Sequence, residues 1–156
     1  SIRTGYSTQL FIIFTIGQPK YFTMNILFIE DDAIETMKFK RILAKLKVQH
    51  KITEAKNGEE ALEVLGSADQ LPDIILLDLN MPRMSGIEFL KVLKADEHYK
   101  YLPTIMLTTS QNRADLLECY RIGIAGYILK PLKYEDYEDK LTKVVQYWEV
   151  SELVKA

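Results

Sequence analysis

Residues 73–82 read DIILLDLNMP: an apolar run, Ile74 to Leu77, leads straight into a carboxylate, Asp78, with Asn80 and Pro82 close behind. Apolar side chains on both alternating faces mark a central parallel strand covered by helices on two sides. The end of such a strand is a poor place for a charge. An unpaired ionised carboxylate in a low-dielectric site costs several kcal/mol or neutralises itself. Asp78 therefore needs water or a cation, and the flanking segments decide which.

Upstream, Asn25 to Ile29 (NILFI) is a second short apolar run, and it ends in Glu30, Asp31 and Asp32. Phe39, Ile42, Leu43 and Leu46 follow at helical spacing, with Asp32 placed to cap that helix. Gln49 to Ala55 is more polar and fits an edge strand; NGEEALEVLG reads as a turn and a short helix closing near Gly66. Downstream, Gly86, Phe89, Leu90 and Leu93 form the next helical stripe. Thr104 to Leu107 is a buried strand introduced by Pro103, Leu116, Leu117 and Tyr120 mark a helix, and Gly126 to Leu129 is a last strand. Tyr137, Leu141, Val144, Val145 and Trp148 then stripe a final helix that EVSELVKA extends.

Strands alternating regularly with helices imply an α/β fold with a parallel sheet. In such sheets ligands bind beyond the carboxyl ends of the strands. Glu30 and Asp31 close the first strand, Asp78 the third, Thr108 the fourth and Lys130 the fifth, so all converge on one rim. Clustered carboxylates repel, and must share protons or bind a cation. An all-oxygen donor set that keeps several waters suits Mg2+, or Mn2+ in its place. Lys130 supplies a point charge for Asp78 or for a phosphoryl oxygen, and the Thr108 hydroxyl can donate to the same group. Metal, ammonium and hydroxyl together are what phosphoryl transfer requires, with a carboxylate as the nucleophile. Asp78 is the best placed for that role.

From Met24 to about Trp148 the chain resembles a receiver domain of bacterial two-component response regulators. The stretches that carry the resemblance are ILFIEDD, NGEEAL, DIILLDLNMPRMSGIEFL, PTIMLTT and AGYILKPL, in that order. The resemblance implies a flavodoxin-like, five-stranded parallel sheet in the order 2-1-3-4-5, with five helices on its two faces. It implies that Asp78 accepts phosphate from a phosphohistidine on a sensor kinase or a histidine phosphotransfer protein. Asp31 would ligate the metal directly and Glu30 mainly through water, with the Asn80 backbone carbonyl completing the protein ligands. Thr108 and Lys130 would contact the phosphoryl group, a cis peptide would precede Pro131, and Tyr127 would occupy an aromatic switch position. The acidic pair is Glu30-Asp31 rather than two aspartates, and Thr109 is bulkier than the small residue often found beside the switch threonine.

Composition sets the remaining bounds. At 156 residues, 47% hydrophobic and 27% charged, the chain falls in the ordinary range of a single globular domain. A net charge of −2 offers no basic field for nucleic acid. The single cysteine, Cys119, excludes an intramolecular disulfide and suits a cytoplasmic protein. His50 and His98 make neither a ligand pair nor a phosphoryl carrier. Residues 1–23 lack acidic side chains and hold one apolar run, Leu10 to Ile16, far short of the ~18 residues a membrane span needs. They read as an upstream extension or leader, with an extra strand or dimer arm as the alternative. Residues 24–150 would form the receiver, followed by a tail, 151–156, too short for an output domain. Output would then be a protein contact, through the face of the fourth helix, fifth strand and fifth helix, with a homodimer on that face left open.

Two other functions compete. An aspartyl-nucleophile phosphatase of the haloacid-dehalogenase type wants a second aspartate two residues after the first, where this chain has Asn80. A receiver-like binding module that is never phosphorylated would not need Asp31, Asp78, Thr108 and Lys130 together. On this reading the protein is a phosphoacceptor rather than an enzyme with a turnover substrate.

Overall fold

The computed structural model of the protein describes residues 23–154, so the expectations for the leader lie outside it. Among the described residues five strands, β1 (Asn25–Ile29), β2 (Lys51–Ala55), β3 (Ile74–Leu77), β4 (Thr104–Thr108) and β5 (Gly126–Leu129), alternate with five helices. The helices are α1 (Ala33–Ala44), α2 (Gly58–Ser67), α3 (Gly86–Ala95), α4 (Arg113–Ile122) and α5 (Tyr134–Glu149). The strands are all parallel, in the order β2-β1-β3-β4-β5. The expected flavodoxin-like fold is therefore the observed one.

Alternation along the central strands divides the interior into two layers. Leu27, Ile29, Ile75, Leu77 and Met106 face α2, α3 and α4, where Leu65, Phe89, Leu90, Leu93 and Cys119 meet them. Ile26, Phe28, Ile74, Leu76, Ile105 and Leu107 face α1 and α5, against Phe39, Ile42, Tyr137, Leu141 and Val145. Phe28 stacks on Phe39 with ring centroids 4.0 Å apart. Every residue of β3 is buried, as its unbroken apolar run requires.

Polar side chains cap four of the helices. Asp32 accepts from the Ile34 N–H, Asn57 from Glu60, Ser85 from Glu88 and Asn112 from Ala114. Each such cap is worth about 1 kcal/mol.

On α4 the buried residue is Cys119, which meets the sheet as a small hydrophobe, while Leu117 and Tyr120 are 56% and 53% exposed. One expectation needs correction. The last helix ends at Glu149 instead of continuing through the tail, because Val150 closes it with its N–H on the Trp148 carbonyl.

Strand register builds the rim. Ile29 pairs with both Ala55 and Leu77, and Thr108 pairs with Leu129. The ladder then runs one residue further into the polar positions. Glu30 N–H donates to Ala55 O (3.0 Å), Asp78 N–H to Ile29 O (3.0 Å) and Lys130 N–H to Thr108 O (2.9 Å). The backbones that carry the charged side chains are thus extensions of a rigid sheet.

Candidate functional site

Glu30, Asp31 and Asp78 each place a carboxylate oxygen within 4.8 Å of the others. Glu30 is buried, Asp31 exposed and Asp78 in between, so the cluster opens to solvent on one side only. The Lys130 Nζ lies 2.9 Å from Glu30 Oε2 and 3.9 Å from Asp78 Oδ1. Four of the expected site residues therefore share one small volume. Asp78 Oδ1 also accepts from the Leu79 N–H at 2.9 Å, which leaves Oδ2 the less engaged oxygen.

The electrostatics match that crowding. Burial raises the Glu30 carboxyl from 4.5 to about 7, with Lys130 opposing and Asp78 adding to the rise. Asp78 is raised by burial as well, against the pull of Lys130 and the N–H groups of Leu79 and Asn80. Burial works against the Lys130 ammonium, but Asp78, Glu30 and Glu35 more than offset it and its pKa rises. Two adjacent carboxylates that resist ionisation within reach of an exposed third are a donor set short of positive charge. An oxygen-seeking divalent cation fits that deficit.

The remaining expected residues are less directly engaged. Thr108 is fully buried, and its Oγ1 accepts from the Ser110 N–H (3.1 Å), which leaves the hydroxyl proton for an incoming oxygen. Tyr127 is half-buried against the α3–α4 core layer and donates its hydroxyl to Ser110 O (3.0 Å). Asn80 is exposed next to Asp78. The expected cis bond before Pro131 is a correction: no peptide bond among the described residues is cis. Trans is favoured by about 0.5–1 kcal/mol before proline, and Lys130 reaches Glu30 from that backbone without the cis form.

Two residues with a part in the site were not singled out from sequence. Glu35 Oε2 lies 3.9 Å from Lys130 Nζ. Its signal was its place as the acid in the first turn of α1, directly after the strand end that carries Glu30 and Asp31. Gly86 packs on the loop that bears Asp78: a Cβ there would lie 2.3 Å from Asp78 O and 2.8 Å from Leu79 Cα. A glycine directly after a capping serine was the available hint.

Known proteins agree with this geometry. The family described as "Response regulator receiver domain" matches residues 26–142. Chemotaxis protein CheY-3 of Vibrio cholerae is 35% identical over 123 residues, covering 79% of this chain and 92% of that protein. The probable methanogenesis regulatory protein FilR2 of Methanothrix harundinacea is 32% identical over 127 residues, covering 79% and 82%. Among solved structures, the phosphorylated cyanobacterial phytochrome response regulator RcpA superposes with a TM-score of 0.80 at 28% identity, covering 85% of this chain and 99% of that one. The Mn2+-bound form of response regulator Rcp1 gives 0.79 at 26% identity, covering 84% and 99%. By sequence, fold and the acids gathered on its rim, the chain belongs to the response regulator receiver domain family.

Proposed function

We propose that Asp78 accepts a phosphoryl group from a phosphohistidine on a sensor histidine kinase or a histidine phosphotransfer protein. The observation that carries this reading is a carboxylate only 12% exposed, with an ammonium 3.9 Å away and two further carboxylates beside it. In the transfer, an Asp78 oxygen forms a bond to phosphorus as the P–N bond breaks, and the imidazole leaves. Oδ2 is the better nucleophile because Oδ1 is held by Leu79. Lys130 receives the charge carried by the phosphoryl oxygens, and the free Thr108 proton donates to one of them. Asp31, Asp78 and the Asn80 carbonyl would hold Mg2+ or Mn2+, with Glu30 acting through water. The bound ion supplies charge neutralisation for the nucleophile and the entering group.

A phosphoryl group adds about −1.5 to −2 charge. Drawing Thr108 toward it pulls on Ser110, which Thr108 and Tyr127 both hold. That linkage leads from the site to the face of α4, β5 and α5, where Leu117, Tyr120 and Tyr147 are exposed apolar contacts for a partner. The free, buried thiol of Cys119 suits a protein working in the reducing cytoplasm. The test is labelling by acetyl phosphate with Mg2+. Wild-type protein should take up one phosphoryl group and Asp78→Asn none; undiminished labelling of that variant overturns the assignment.

A further inference from the structure

Asp115 stands three residues after Asn112, the cap of α4. An acid at that place ordinarily reaches back to the backbone N–H of the capping residue. Here another residue is interposed. The Asn112 N–H donates to Ser110 Oγ at 3.3 Å, and the Ser110 hydroxyl donates in turn to Asp115 Oδ2 at 2.8 Å. The Asn112 side chain already caps the helix by accepting from Ala114 at 2.8 Å, and Asp115 could close the cap without help from the loop. The chain instead threads a loop residue into it. The start of α4 therefore depends on where Ser110 stands.

Ser110 is also the residue that the site holds. Its N–H donates to Thr108 Oγ1 at 3.1 Å, and its carbonyl accepts from the Tyr127 hydroxyl at 3.0 Å. Backbone groups make both of those bonds, whereas the side chain makes the bond to α4. One residue thus sends out two separable links, one to Tyr127 and one to the helix. The Glu118–Lys91 pair that joins α4 to α3, at 3.6 Å, lies at the surface, where such pairs contribute little. The Ser110–Asp115 bond is half-buried and charge-assisted, and is the firmer of these two holds on the helix.

We propose that the Ser110 hydroxyl is the joint that moves α4 when Thr108 is drawn toward a phosphoryl group, separately from Tyr127. Ser110 and Asp115 are positioning residues, and the inference rests on the phosphoacceptor reading of Asp78. A displacement of Thr108 shifts the Ser110 backbone. Asp115 follows its hydroxyl, and the exposed Leu117 and Tyr120 travel with the helix. Shifting a packed helix opposes capture of the anion. Cutting the joint therefore frees the site and silences the helix, whereas damage to the site would weaken binding.

The experiment adds beryllofluoride, a phosphoryl mimic, to the full chain with saturating Mg2+. Fluorine NMR reads binding, and amide spectra read the difference between free and bound protein at Ala114, Leu117, Tyr120 and Tyr127. Ser110→Ala keeps both backbone bonds and loses the joint. It should bind beryllofluoride as tightly as wild type or up to about fivefold more tightly, the low end of coupling between sites. Its amide differences along α4 should be lost, and that of Tyr127 kept. Asp115→Ala should behave in the same way, and the double variant should add nothing further. Asp115→Asn, which still offers a side-chain oxygen, should respond as wild type does.

If wild type takes no beryllofluoride, the phosphoacceptor reading fails and the inference with it. If wild type binds without a change along α4, or Ser110→Ala keeps that change, the inference alone fails. Loss of the Tyr127 difference in Ser110→Ala shows the two links to be one and overturns it as well. Weaker binding by Ser110→Ala assigns the hydroxyl to the site itself, which also overturns the joint.

Discussion

Gly86→Ala sets two effects of opposite sign against each other. Gly86 opens α3, where alanine in place of glycine favours the helix by about 0.5–1 kcal/mol. The added Cβ, however, would lie 2.3 Å from the Asp78 carbonyl oxygen and 2.8 Å from Leu79 Cα. Ordinary contact is about 3.5–4 Å, so the closer overlap exceeds an ångström, and both neighbours are backbone. Relief means moving the loop that carries Asp78. Overpacking of this kind costs about 1–3 kcal/mol, so the net effect should be a loss of roughly 1–2 kcal/mol. A displacement near 1 Å at a reacting group also costs on the order of 100-fold in rate. Gly66→Ala is the control: that glycine is also helical, and a Cβ there meets nothing within 4 Å. It should gain about 0.5–1 kcal/mol and be labelled at the wild-type rate. Urea unfolding measures the stabilities, and the initial rate of labelling by acetyl phosphate measures the site. A Gly86→Ala protein as stable as Gly66→Ala and labelled as fast refutes the reasoning.

Glu30 and His50 offer two further tests. Glu30 binds its proton more tightly in the folded state, about 7 against 4.5, so its favourable contribution is complete below pH 4.5 and is lost as pH rises through 7. The loss is roughly 3 kcal/mol at most; urea midpoints in EDTA should fall over that window, Glu30→Gln should remove most of the slope, and Mg2+ should oppose it, whereas an equal slope in the variant contradicts this. At the opposite end of the sheet, the His50 ring is fully buried and accepts the Met24 N–H at Nδ1 (3.0 Å), so its proton is on Nε2 and donates to Glu149 (2.7 Å). His50→Ala should cost about 2–3 kcal/mol by stranding both partners, with labelling at the wild-type rate; a stability within 0.5 kcal/mol of wild type, about the scatter of a surface change, would show the clamp to be idle.

The fold was readable in the chain because its signals agree at every level. β3 is apolar on both faces and is buried on both; Asp32 looked like a helix cap and is one. The acids and Lys130 were assignable to one rim because a parallel sheet leaves their strands in a common direction. What escaped the sequence depended on side-chain direction rather than on element type. Leu117 and Tyr120 mark α4 by their spacing, but only the packed structure shows that they face outward while Cys119 meets the sheet. Tyr137 is core by pattern, and only the packed structure leaves its hydroxyl buried without a partner. The Pro131 bond could not be read from the letters at all, since either isomer can follow a lysine.

Whether Asp78 is the residue that bonds to phosphorus can be tested directly by borohydride reduction. An aspartyl phosphate is an acyl phosphate, which borohydride reduces to homoserine. After incubation with acetyl phosphate and Mg2+, followed by reduction and peptide mapping, homoserine should be found at position 78 and at no other acid. A reduced side chain at Glu30 or Asp31, or phosphorylated protein that leaves Asp78 unreduced, would contradict the assignment.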